Sequence, residues 1–292
     1  MDNALLLKTY FDNGKELTDE MIDSLLSSSE LIRSLTSEFS KNSLYSIWRL
    51  LALSEIPYAG RLKYTQNLME YIEKAYTTSE GFSITGKSAD LLPCYNAMLI
   101  EAYSKLGYTD LPYVKCAVEW IKNYQVFGRN KKTLWTGTGI RKYGGCMQST
   151  PCYIGIAKTV KALLYYSFNC TAMDNRVMDM INIGTDYLLR HNLFQRLSNK
   201  EPITKHILDI AYPQSYQLNI IELLDIAYMT KKMNDPHVKD AIAFVKSKQI
   251  KDVGWRINYI YKTDGFVSFD KRGAKGEWVT YLLDKYLSHV TE

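Results

Sequence analysis

One segment of this chain is written twice. Pro112-Tyr-Val-Lys-Cys-Ala-Val-Glu-Trp-Ile-Lys-Asn-Tyr-Gln125 returns as Pro236-His-Val-Lys-Asp-Ala-Ile-Ala-Phe-Val-Lys-Ser-Lys-Gln249, an offset of 124 residues, with Pro, Val, Lys, Ala, Lys and Gln in identical register. The positions between them keep their apolar spacing at three and four, which is the period of an amphipathic helix. A repeated unit of this size cannot bury its apolar face alone. It must stack on neighbours of its own kind, which restricts the chain to an array or ring of similar units. The echo names no reaction.

Helical periodicity extends over most of the remainder. Residues 42–56, 91–106, 153–168, 216–229 and 277–287 carry apolar side chains at helical spacing, and each of the first four is followed by a second helical stretch at 62–76, 112–125, 175–192 and 236–249. Gly107, Asp110, Pro112 and the pair Asp235-Pro236 sit where one helix of a pair must stop and the next begin. The expectation is four helical hairpins plus a final helix, with residues 1–40 forming two short helices, 18–27 and 30–39, as an N-terminal cap. At 292 residues this reads as a single domain.

Bulk properties exclude several classes. A net charge of +5 is spread over helix faces, and the densest basic cluster, Arg129-Asn-Lys-Lys132, falls in a loop, so nucleic acid is not an expected partner. No apolar run reaches the length of a membrane span, and the apolar stretch near Met1 is too short for a signal peptide, so the expected location is cytoplasmic. Five cysteines, an odd number in a chain able to build a core, suggest thiols or a metal and not a disulfide framework.

The turns after the second helices are short and pair glycine with an aromatic residue: Gly81-Phe82, and Gly254-Trp255 after Gln249. A helix-ending glutamine followed by a turn with glycine and tryptophan resembles the QW repeat of squalene-hopene cyclases. Pro93-Cys94, Leu106-Gly-Tyr108, Cys146 to Cys152, Tyr187-Leu-Leu-Arg-His191, Tyr212-Pro213 and Glu277-Trp-Val-Thr280 follow in an order similar to that of small bacterial squalene-cyclase-like proteins, over most of residues 40–290. The resemblance implies an all-α fold: repeated helical hairpins closed into an α-α toroid with inner and outer helices, as also in protein prenyltransferase β subunits. The cyclase Asp-x-Asp-Asp motif and the prenyltransferase Asp-x-Cys pair are both missing, which argues against squalene-type cyclisation and against carrying over those zinc ligands.

In such a ring the start of every inner helix and the end of every outer helix share one rim. Cys94 and Cys152 open inner helices, Cys146 leads into one, and His191 closes an outer helix; three thiols and an imidazole make a tetrahedral Zn²⁺ set. The plainer alternative makes the cysteines small buried hydrophobes and His191 a helix C-cap. On the same rim, Tyr212 to Asn219 places an amide where the related proteins tend to carry an aspartate. Trp48, Tyr95, Tyr153, Tyr216 and Trp278, read as inner-helix residues, could line an aromatic substrate cavity with Asn219, or could be core. Glu101, Glu222 and Glu277 could form a general acid/base pair, against the simpler reading of solvated helix faces, and His206 reads as a surface residue. The functional expectation is a terpenoid-cyclase-like or prenyltransferase-like toroid that binds a small apolar or peptide-like substrate in a central cavity, with zinc on the rim. The alternative is a non-catalytic binding scaffold.

Overall fold

A computed structural model describes the chain apart from residues 144–146, 148, 149, 173, 252 and 292. Three helices come first: α1 (Asn3–Asp12), α2 (Asp19–Ser28) and α3 (Glu30–Thr36). The helix α1 is one more than the periodicity within residues 1–40 suggested. Asp2 explains both its start and its place, because its carboxylate accepts from Ala4 N at its own helix and from Ser29 Oγ and Glu30 N at the start of α3.

The pairs follow: α4 (Ser43–Ser54) with α5 (Lys63–Tyr76), then α6 (Pro93–Lys105) with α7 (Pro112–Tyr124). After a loop holding the four-residue α8 (Gly139–Lys142) come α9 (Tyr153–Asn169) with α10 (Asn175–Arg190), then α11 (Ile220–Met229) with α12 (Lys239–Ser247), and last α13 (Glu277–Leu287). Among the described residues there are 13 helices and no strand, only isolated bridges in the turns. The two copies of the echo are α7 and a 3-10 turn, Pro236–Val238, running into α12; both copies are second helices of their pairs. The expected helix from residue 216 starts instead at Ile220, because Asn219 turns its Oδ1 onto Glu222 N at 3.1 Å and caps α11 there.

First and second helices differ in kind. In α4, α6 and α11 nearly every side chain is buried, whereas α5, α7, α10 and α12 bury one face only. The first helices pack on one another in chain order, α4 on α6, α6 on α9, α9 on α11 and α11 on α13. The N-terminal helices link the two ends: α3 lies on α4 and α1 lies on α3, while Asp12 of α1 accepts from Tyr281 Oη at 2.8 Å and pairs with Lys285 at 2.9 Å, both on α13.

The glycine-aromatic turns recur as one device. Phe82 N donates to Asn96 Oδ1 at 2.9 Å and Trp255 N to Thr280 Oγ1 at 3.0 Å. Asn96 and Thr280 are each the fourth residue of the next first helix, α6 and α13. Gly81 and Gly254 have φ of 147° and 108°, and a Cβ on either would fall 2.7 Å from Asn96 Oδ1 or 2.5 Å from Thr280 Cγ2. Glycine lets the backbone come close enough for the polar side chain to receive the following N–H. Gly254→Ala is therefore expected to cost about 2–4 kcal/mol in a denaturant melt, through the disfavoured backbone and the clash together. Gly14→Ala, at φ of 64° with nothing within 4 Å, should cost only the backbone part, about 1–2 kcal/mol; equal losses in the two variants would disprove the close-approach explanation.

Candidate functional site

The first helices meet in a buried cluster of charges. Lys158 of α9 is inaccessible to solvent, and its ammonium donates to both Glu222 oxygens at 2.7 Å, to Ser215 O at 2.7 Å and to Gln214 Oε1 at 3.2 Å. One turn further along α9, Lys161 stands 3.2 Å from Glu101, 3.6 Å from Asp225 and 3.9 Å from Glu222. Lys105 bridges Glu101 at 2.6 Å and Glu55 at 2.8 Å. Tyr286 Oη of α13 donates to Asp225 at 3.0 Å, which brings the last helix into the same cluster. The partners lie three or four residues apart along their helices, Glu101 with Lys105, Lys158 with Lys161 and Glu222 with Asp225, so each helix offers one charged stripe to the centre.

Burial on this scale sets the ionisation. Burial works to raise the Glu101 carboxyl, but Lys105 and Lys161 outweigh it and hold the group down at about 2. Burial likewise works against the Lys161 ammonium, and Glu101 leads the carboxylates that push it above the ordinary lysine range. Lys158 goes the other way: burial draws it below that range, with Glu222 only partly offsetting. The Glu101 and Glu222 carboxylates are thus buried ion-pair members and not solvated helix faces, while Glu277 is half exposed. Beside the cluster, between α9, α11 and α13, lies a cavity of about 40 Å³ walled by Lys161, Glu222, Asp225 and the three tyrosines 165, 212 and 286. It is polar and far too small for an isoprenoid chain.

A separate cleft of about 270 Å³ is walled by Trp48, Tyr95, Tyr216, His206, Tyr259 and Tyr261. Trp48 of α4 and Tyr95 of α6 have ring centroids 6.2 Å apart, and Tyr216 stacks on Tyr95 at 5.8 Å and 17°. The opposite wall comes from the loops: His206 lies 4.7 Å from Tyr259, which lies 5.2 Å from Tyr261. His206 Nδ1 is 2.7 Å from Asp209 Oδ2, a pairing that fixes the ring with Nδ1–H as donor and leaves Nε2 for other partners. The cleft floor is tied to the charged cluster through Ser215, whose carbonyl accepts from Lys158, and through Asn219, whose Nδ2 donates to Tyr261 Oη at 3.2 Å.

The residues singled out from the sequence therefore separate. Trp48, Tyr95 and Tyr216 come together in the cleft, Tyr216 from the loop ahead of α11 and not from a helix, and Asn219 lies directly beneath. Tyr153 is elsewhere, donating its hydroxyl to Leu193 O and packing on His191 at 5.2 Å. Trp278 is core, stacked on Tyr212 at 5.8 Å. His206, Tyr259 and Tyr261 are the cleft residues that periodicity missed; His206 is half-buried and not a surface residue. The spacing of His206 to Asp209 and the alternation Tyr259-Ile-Tyr261 were the available signals.

On the proposed zinc rim, Cys94 is buried, and burial, with the neighbouring Cys152 thiol adding to it, pushes its thiol up to about 12. His191 is buried too, and desolvation lowers it, keeping it neutral. Its Nδ1 lies 2.9 Å from Gln195 O and must donate there, so Nε2 is a bare acceptor, buried and without a partner among the described residues. That is the tautomer in which an imidazole ligates a metal. Cys146 lies outside the described residues, and among the described residues no three His, Cys, Asp or Glu side chains gather closely enough to hold an ion.

No protein family, no curated protein and no solved structure matches this chain. Among the described residues, no helix is long and apolar enough to cross a membrane.

Breaking the central pair should be severe. Lys158→Met leaves Glu222 buried without its hydrogen-bonded cation and is expected to cost about 3–5 kcal/mol in chemical denaturation, whereas Lys158→Met with Glu222→Met should recover most of that loss. A single variant that loses less than about 1 kcal/mol would show that the pair is not what holds α9 to α11.

Proposed function

We propose that the protein is a ligand-binding helical toroid whose site is the aromatic cleft formed by Trp48, Tyr95, Tyr216, His206, Tyr259 and Tyr261. The ring reading rests on two supports: five first helices share one charged centre, and α1 and α3 join α13 back to α4. This is the closure that the resemblance to squalene-cyclase-like and prenyltransferase-like proteins implies.

The observation that carries the binding reading is the convergence of three rings, from α4, α6 and the loop before α11, on a His-Asp pair across an open space. Rings of this kind offer a large apolar area at low entropic cost, which suits a small ligand with a flat apolar body. The chain then acts as a binder, with His206, its ring oriented by Asp209, presenting Nε2 to what is bound. Saturation-transfer NMR against a panel of small aromatic and prenyl compounds should find ring-bearing binders for the full chain, weakened about tenfold or more by Tyr95→Ala with Tyr216→Ala. Circular dichroism keeps loss of binding separate from loss of fold. A panel without binders, or binders indifferent to the two substitutions, would refute the cleft as the site.

A second reading is favoured by the bare, buried Nε2 of His191: Cys94, Cys152 and His191 would hold zinc on the rim together with Cys146. Zinc would supply Lewis acidity there, or serve structure alone. Protein purified without chelators should then carry about one zinc per chain, lost in His191→Ala and in Cys152→Ser. Metal-free protein from a zinc-supplemented preparation would end this reading.

A further inference from the structure

The cleft is rich in donors that have nothing to donate to. Trp48 is 3% exposed, and its indole N–H, which can only donate, has no acceptor among the described residues. Unsatisfied buried donors of this sort cost about 1–3 kcal/mol unless something completes them. Lys262 lies at the mouth of the cleft, and its ammonium has no ion-pair or hydrogen-bond partner among the described residues. The hydroxyls of Tyr95 and Tyr259 likewise have no acceptor among the described residues, whereas Tyr261 Oη is engaged by Asn219 Nδ2 and by the Ser215 hydroxyl.

The other lining residues able to accept, Ser215, Gln217 and Thr263, are neutral. Among the described residues no carboxylate lines the cleft. Asp209 stands behind His206 and is occupied by its Nδ1, and Glu222, below the floor, is spent on Lys158. Burial raises the phenols of Tyr95 and Tyr261 above the usual tyrosine range, so both stay neutral donors throughout the physiological interval. A cage meant for a cationic ligand would place a carboxylate near its rings and no lysine at its rim. Here a lysine stands at the rim, and the two nearby carboxylates are each held by a cation or an imidazole.

Resting on the binding reading above, we infer that the cleft takes a planar ligand bearing an anionic group, its ring against Tyr95, Tyr216 and Trp48 and its anion toward Lys262. A carboxylate or a phosphate would serve equally, since either accepts several hydrogen bonds from ammonium, indole and phenol together. Lys262 is exposed and sets the preference for charge, while the rings set the affinity common to charged and neutral analogues.

Isothermal titration of the full chain with four naphthalene probes tests this: 2-naphthoate, 2-naphthyl phosphate, neutral 2-naphthamide and (2-naphthylmethyl)trimethylammonium. At least one anionic probe is expected to bind about fivefold or more tighter than the amide, the size of effect a partly exposed charge contact gives. Whichever anion wins identifies the head group. In Lys262→Glu that advantage should vanish or reverse while the amide binds as before. Equal binding of anion and amide, a preference for the ammonium probe, or an advantage that survives Lys262→Glu would overturn the anionic preference and leave the cleft as a binding site. Failure of every probe to bind the unaltered protein would overturn the preference and the binding reading together.

Discussion

The arrangement depends on the buried Lys158-Glu222 pair and the carboxylates and ammoniums around it. Placing seven charged side chains inside a helical protein is expensive in desolvation, and the geometry compensates only where each helix arrives at one rotation and one height. Leucine tolerates a slipped register; an ammonium that must meet two oxygens at 2.7 Å does not. Four of the five first helices supply charges to this cluster, directly or at the residue after their end, and the fifth supplies the Tyr286 hydroxyl. The cluster therefore selects one packing among the many that apolar helices allow.

From that centre the rest can be followed outward. The second helices need only an amphipathic face, and they have it. The glycine-aromatic turns return the chain to the next first helix and lock to its fourth residue, Asn96 or Thr280, so the step from one pair to the next is made by a hydrogen bond as well as by packing. Between α10 and α11, and again between α12 and α13, the connecting segments are long and irregular. These segments carry His206, Tyr216, Tyr259 and Tyr261 up against Trp48 and Tyr95. The residues of the cleft are thus split between helices, which hold one wall, and loops, which bring the other.

Through Ser215 and Asn219 the two regions are joined. The carbonyl of Ser215 holds Lys158, and the side chain of Asn219 caps α11 while touching the Tyr261 hydroxyl. An aspartate at position 219 would add a fixed negative charge beside Glu222 and the Tyr261 hydroxyl. The amide keeps the same cap and donates to Tyr261 without that charge. The amide at position 219 thus caps the helix without adding to the charge of Glu222 in the cluster below.

Sequence alone was enough for the helical hairpins, since periods of three and four, prolines at helix starts and a long-range echo are local signals that tertiary context here does not override. It also assembled half of a cleft wall, because Trp48 and Tyr95 stand on helices whose pairing follows from the repeat. It misplaced the start of α11, missed α1, and took Glu101 and Glu222 for solvated faces and His206 for a surface residue. The physical reason is common to these misses. A carboxylate three or four residues from a lysine looks the same along a chain whether water or another helix faces it, and a loop tyrosine has no periodicity at all. Only the tertiary structure decides which stripes turn inward to pair with one another and which irregular segments fold back over the first helices, since both depend on contacts between residues 42 to 121 positions apart.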